Sequence, residues 1–217
     1  MAAAGRGIGR GRGGAVRLIR CNKPFRMLSQ FTSDGGKACL SDIVTVPGVY
    51  PAGRLDHDSE GLLLLCDDGR TISRIADPRH KLPKTYLAQV EGLIDAAALQ
   101  RLQTGLLLKD GPTRPAVARS VSEPAWLWPR EPPVRFRRHI PTSWLELTIT
   151  EGRNRQVRRM AAAIGCPVLR LIRTRIGPWG LDGLVPGAWC DADPAMLPPA
   201  PDPPRRRAGR SGHRQRR

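Results

Sequence analysis

The sequence predicts an α+β fold in which strands dominate and a few short helices lie between them. Two patterns carry that expectation. Ser143–Thr150 alternates, with Leu145, Leu147 and Ile149 on one side and Trp144, Glu146, Thr148 and Thr150 on the other, the period of a half-buried strand. Residues 155–164 instead place Val157, Met160, Ala161 and Ile164 at i, i+3, i+4 and i+7, the stripe of an amphipathic helix. With 217 residues, 40% of them hydrophobic, the chain can bury a real core. It has no internal repeat.

The elements follow in order. Residues 1–15 are a Gly/Arg tail expected to be disordered. Val16–Cys21 is a first strand, ended by Asn22-Lys23-Pro24. Leu40–Val46 is a short apolar segment stopped by Pro47-Gly48. Gly61–Cys66 reads as a buried strand closed by the turn Asp67-Asp68-Gly69. Thr71–Ala76 is a short helix. Lys84–Val90 is a strand with Tyr86, Ala88 and Val90 on one face. Asp95 caps a helix that runs through Leu102 and ends at Gly105. Pro115–Val121 is a further strand, and residues 124–141, rich in Pro, Trp and Arg, form an exposed loop. Gly165 ends the helix of residues 155–164, Pro167 prevents its return, and Val168–Ile176 is a strand. The folded domain is expected over 16–190, with an unfolded Pro/Arg-rich tail over 191–217.

The net charge is +17, but it is unevenly placed. Residues 1–20 carry five Arg and residues 203–217 seven, with no acid in either, which leaves a net of only +5 between them. Arg-rich tails of this kind suit a polyanion, and nucleic acid is the expected partner rather than simple solubility. The five cysteines are scattered without C-x-x-C spacing, so neither a zinc site nor a disulfide framework is expected, and the thiols read as reduced. No apolar run approaches the ~20 residues of a membrane span. The N-terminus has no hydrophobic signal segment, and its glycines argue against the amphipathic helix of a transit peptide. A cytoplasmic protein is expected.

Three constellations carry chemistry. The first is Gly53-Arg54-Leu55-Asp56-His57-Asp58-Ser59-Glu60-Gly61, a charged loop leading into the apolar block Leu62–Leu65. A loop held by a buried strand is a common seat for reactive groups. Its acids imitate the start of a calcium loop, but two Pro and two Gly in Val46–Gly53 exclude the preceding helix, and the twelfth position is Asp67 rather than Glu. No metal is expected. Capping a turn accounts for Asp58 and Glu60 but not for Asp56. The second constellation, Gly152–Met160, crowds Arg153, Arg155, Arg158 and Arg159 around a helix start. The helix dipole disfavours cations there, so an anion is expected nearby, either a nucleic-acid phosphate or a carboxylate from elsewhere in the fold. The third is Lys84-Thr85-Tyr86, whose Tyr86 stacks on a base if its strand faces a cleft and is otherwise a core residue.

In this order the three motifs resemble those of the RNA pseudouridine synthases, in the RsuA-like branch that modifies ribosomal RNA. Asn22-Lys23-Pro24 and the stretch Leu171-Ile172-Arg173 through Ile176-Gly177 and Leu181 also fit, so the resemblance spans roughly residues 16–190. Most of that branch carries an S4-type RNA-binding domain before the catalytic domain. About fifteen residues cannot fold as one, so the chain looks like the short E-type members, which act on large-subunit (23S) rRNA. The tails would then supply phosphate contacts that fix no sequence by themselves.

The resemblance implies a mixed, mainly antiparallel bent sheet with flanking helices and a central RNA-binding cleft. It implies that a specific uridine of ribosomal RNA is isomerised by a monomer without cofactor. The C1′–N1 bond breaks, the base turns, and C5 joins C1′. It assigns Asp56 to the sugar intermediate, Tyr86 to stacking on the base and loss of its C5 proton, and Arg158 to pairing with Asp56. Arg54, Lys84, Arg153, Arg155 and Arg159 become RNA contacts, and Leu171 or Ile172 packs below the base. His57 is read as lining the cleft. The competing readings are a non-catalytic rRNA-binding or assembly factor on the same fold, and a synthase acting on 16S rRNA or tRNA.

Overall fold

The computed structural model describes residues 15–135 and 138–199. Of the tails expected over 1–15 and 191–217, residues 1–14 and 200–217 lie outside the described residues. The strands are β1 (Leu18–Lys23), β2 (Tyr50–Pro51), β3 (Glu60–Cys66), β4 (Lys84–Glu91), β5 (Leu107–Leu108), β6 (Gly111–Pro112), β7 (Val117–Val121), β8 (Thr142–Ile149), β9 (Val168–Ile176), β10 (Trp179–Gly180) and β11 (Trp189–Ala192). The helices are α1 (Gly69–Ala76), α2 (Ala96–Thr104) and α3 (Gln156–Ala163). The main sheet runs β11-β1-β3-β9-β4-β8-β7, with β2 added to β3 and β10 to β9. Its pairings are antiparallel except β3–β9. This is the α+β sheet that the alternating segments predict.

The helix starts follow local chemistry. Asp68 accepts the Thr71 N–H at 2.7 Å, so α1 begins inside the turn assigned to Asp67-Asp68-Gly69. Asp95 caps α2 in the same way through Ala98 at 2.7 Å. Gly105, with φ +99°, then turns the chain out of that helix.

The apolar block Leu62–Leu65 is wholly buried because β3 is covered on both faces. Leu62 and Leu64 pack with Leu87, Trp144 and Ile172. Leu63 and Leu65 face the other way, against Ile19, Leu40 and Val44. A third cluster lies under α2 and α3, where Val157, Met160 and Ala161 meet Ala88, Leu145, Leu147 and Leu171.

One joint positions the site. β3 and β9 pair over only two positions, Glu60 with Ile172 and Gly61 with Arg173. A Cβ on Gly61 would stand 2.3 Å from the Arg173 carbonyl oxygen, and its φ of +103° suits glycine alone. The missing side chain lets the two strands meet. Beside this joint β4 shifts register against β9 between Thr85 and Tyr86, an irregularity of the kind that bends a strand and re-aims its side chains.

Two expectations are corrected. Order continues past residue 190, because β11 pairs with β1 from Leu18↔Ala192 to Cys21↔Trp189 and a short 3-10 turn follows at Pro194–Met196. The open edge of β1 needs backbone partners, a demand that local composition does not display. Residues 124–141 are not uniformly exposed either. Trp126 is 56% exposed, but Leu127 and Trp128 pack against the core.

Candidate active site

Asp56 stands in the loop that enters β3. Gly53, with φ +94°, admits the turn, and the Ser59 N–H closes it on the Asp56 carbonyl at 3.0 Å. The flanks are pinned. The Leu55 N–H donates to Ser29 Oγ at 3.1 Å, and the Ser29 hydroxyl returns a bond to the Leu55 carbonyl at 2.8 Å. The Arg26 N–H holds the His57 carbonyl at 2.8 Å. Arg158 reaches the Asp58 carbonyl at 2.6 Å and Ser59 Oγ at 3.2 Å. The backbone under Asp56 is therefore held from several elements, while its side chain remains 35% exposed.

The loop forms one wall of a cleft of about 740 Å³. Tyr86, Lys84, Ile149, Leu171 and Arg173 line it from the sheet, and residues 152–157 line it from the start of α3. Tyr86 is only 9% exposed and packs in one cluster with Leu55 and Leu171. Alternation along β4 puts Lys84 on the same face as Tyr86.

The arginine cluster meets carboxylates from within the fold. Arg155 takes a left-handed conformation, φ +47°, at the N-cap of α3. That conformation is uncommon for a bulky residue. Its guanidinium grips both Asp58 oxygens, at 2.9 and 2.8 Å, and comes within 3.5 Å of Asp56. The hydrogen bond from Arg155 holds the Asp58 carboxyl below its ordinary pKa, against the burial that would raise it. Arg159 chelates Asp110 at 2.7 and 2.9 Å. Arg153 lies between Asp110 and Glu151 and bonds the Gly111 and Pro112 carbonyls. Burial holds the Arg158 guanidinium below its usual value, opposed by the charge of Asp58.

Behind the loop, Glu60 is 2% exposed and receives Arg170 through two bonds of 2.9 Å. The Trp128 indole N–H donates to the same carboxylate at 2.9 Å. Lys23, fully buried, gives its ammonium to the Pro24 and Met27 carbonyls at 2.8 Å. Burial pushes its pKa down to about 8, against the pull of Glu60.

Residues 17–163 match the family model described as RNA pseudouridylate synthase. The chain belongs to that family. It is 56% identical to the ribosomal large subunit pseudouridine synthase E of Xanthomonas campestris over 84% of this chain and 99% of the relative. Against the synonymous protein of Vibrio vulnificus it is 52% identical, over 80% of this chain and 74% of the relative. A crystal structure titled pseudouridylate synthase superposes with a TM-score of 0.69 at 28% identity, covering 84% of this chain and 73% of the other. Fold, family and enzyme class are thus those the resemblance implied, and the chain is an RNA pseudouridine synthase.

In this synthase Asp56, Tyr86, Arg54, Lys84, Arg153, Arg155 and Leu171 come together around one cleft. Other expectations change. Arg155, not Arg158, is the arginine in contact with the Asp56 carboxylate. Arg158 enters deeper, its side chain 14% exposed, and stops at the loop backbone and the Asp58 carboxylate. Lys84 is 8% exposed, since β4 lies inside the sheet, and so belongs to the cleft floor rather than to an outer phosphate surface. Arg159 is absent from the cleft lining because Asp110 holds it. Ile172 packs on the opposite side of the sheet from Leu171, as period two requires. Sequence reasoning missed Arg170, Ser29 and the cleft role of Arg173. Three arginines inside the apolar strand 168–176, of which Arg170 and Arg173 prove buried, were the available signal, since buried charges are rare without partners.

Among the described residues no helix is long and apolar enough to cross a membrane, and no His/Cys/Asp/Glu group could hold a metal ion. The five cysteines are free.

Proposed function

We propose that this cleft converts a uridine of large-subunit ribosomal RNA to pseudouridine, with Asp56 acting at the sugar and Tyr86 against the base. The observation that carries the reading is the meeting of those two groups: a carboxylate on a pinned loop and an aromatic ring in the sheet line the same cleft. The names of the Xanthomonas and Vibrio relatives favour the large subunit as the source of the RNA.

A uridine must leave its stack to enter, at a cost of a few kcal/mol. Stacking on Tyr86 offsets part of that cost. The Asp56 carboxylate then meets the charge that develops at C1′ as the C1′–N1 bond breaks. Arg155 orients that carboxylate, and Arg158 keeps the loop in place beneath it. Arg54, exposed at the mouth, takes a phosphate. The reading includes a monomer working in the cytoplasm, where ribosomal RNA such as the relatives' names specify is made.

Mapping pseudouridines in ribosomal RNA from cells with and without the gene tests the reading. One site in large-subunit RNA should be lost. An unchanged map, or a site lost only from small-subunit RNA or tRNA, would overturn the assignment.

A further inference from the structure

Two buried cations on the cleft floor have no carboxylate partner among the described residues. Arg173 is 3% exposed and Lys84 8%. Arg173 donates through Nε to the Leu62 carbonyl at 2.8 Å and through Nη1 to the Arg54 carbonyl at a long 3.4 Å, and its Nη2 has no partner. The Lys84 ammonium, a three-proton donor, makes one hydrogen bond among the described residues, to the Leu82 carbonyl at 3.4 Å. Among the described residues neither forms an ion pair, unlike the nearby Arg155 and Arg170. Burial pushes the Lys84 pKa down to about 8, and the Arg173 charge adds to the shift, so the two cations feel each other. Burying like charges together is costly unless something anionic joins them.

Their placement indicates what joins them. Arg173 is opposite Tyr86 in the β4–β9 ladder, and Lys84 is two residues along the same face of β4. Both line the cleft that holds Asp56. A base packed on Tyr86 would therefore lie beside these donors. We propose that Lys84 and Arg173 receive the carbonyl oxygens of the target uracil and stabilise the negative charge it gains as a leaving group. The proposal rests on the reading of the cleft as a uridine-isomerising site and adds the groups that act on the base.

The electron count calls for such groups. When C1′–N1 breaks, its electron pair moves onto the uracil and spreads over N1, O2 and O4, while the Asp56 carboxylate closes on C1′. After the base turns, C5 supplies a pair to C1′ and the carboxylate leaves. C5 then loses its proton and N1 takes one from solvent, so the change is an isomerisation. Preorganised cations in a dry site are effective where charge develops, and Asp56 serves only the sugar end.

The test uses Lys84→Met in the full-length protein on its RNA substrate, with Arg173→Lys as a second variant that keeps the charge. Lys84→Met should lower kcat about 100-fold and leave KM within about threefold, because the contact strengthens only as the bond breaks. Fluorine at C5 makes uracil a better leaving group. With 5-fluorouridine at the target, the single-turnover cleavage deficit of Lys84→Met should therefore shrink about tenfold. Arg173→Lys should retain more activity than Arg173→Met, at equal folding by circular dichroism. A deficit of the same size with both bases would overturn the leaving-group role. So would a loss expressed in KM with a salt dependence flattened by about one unit, which marks a phosphate contact. Wild-type protein that forms no pseudouridine would instead sink the underlying reading.

Discussion

The carboxylates of Asp58 and Glu60 stand two residues apart, yet one faces the open cleft and the other is buried at the start of β3. Asp58 and its partner Arg155 are 39% and 43% exposed. Glu60 and Arg170 are 2% and 6% exposed. Both pairs are doubly bonded at similar lengths, so geometry does not separate them. Solvent does. An exposed pair adds little stability and can exchange partners when RNA arrives. A buried pair leaves an uncompensated charge if either member is lost, so it fixes structure. The loop thus has a buried ion pair at its root, Glu60, and exposed, exchangeable side-chain pairing at its tip, Asp56 and Asp58, on a held backbone.

Substitutions at the root and at the tip should fail differently. The largest loss of activity is expected at the tip. Asp56→Asn should lower product formation at least about 1000-fold while RNA affinity and melting temperature hardly change, and measurable turnover would remove Asp56 from the chemistry. At the root, Glu60→Ala should cost about 3–5 kcal/mol in urea unfolding, because Arg170 and the Trp128 N–H lose their acceptor. Adding Arg170→Met should recover much of it, and a loss under 1 kcal/mol would make the pair an ordinary surface contact. Gly61→Ala should cost about 2–4 kcal/mol and lower activity as well, since the β3–β9 joint must open to admit a Cβ.

The smallest effect on stability is expected for Arg155→Gln, less than about 1 kcal/mol, together with a slower reaction as Asp56 loses its partner. Its pH dependence is specific. The folded state lowers the pKa of Asp58, chiefly through the Arg155 hydrogen bond. Stability from this source is therefore complete above the unfolded carboxylate value and lost as pH falls through the folded one. The melting-temperature gap between wild type and Arg155→Gln should be full above about pH 5 and close below about pH 4. A gap that widens in acid would show that Asp58 is not the partner that matters.

Much of this molecule was legible beforehand. The strand Val168–Ile176 has the bounds that the sequence suggested, and those of β4, β8 and α3 agree within a residue at each end. Period two and period 3.6 are local properties that side-chain burial imposes on adjacent residues. The prominence of Asp56 was also local, since a charged loop abutting Leu62–Leu65 must hang from a buried strand. The same strand alternation implies that Leu171 and Ile172 part company, but not which of them meets the cleft.

Local patterns of residues specify the list of elements, the loop that carries Asp56, and the ordered motifs that mark the family. The partners come from the way those elements pack. Arg155 reaches Asp58 across 97 residues of sequence, Arg158 reaches the Asp58 backbone across 100, and Arg170 reaches Glu60 across 110. Charges that far apart in sequence can pair in many ways. The two-position joint of β3 with β9 and the packing of α3 against the sheet choose among them. The same register leaves Lys84 and Arg173 together without an acid, because burial and pairing arise from how strands meet and not from the residues of any one strand.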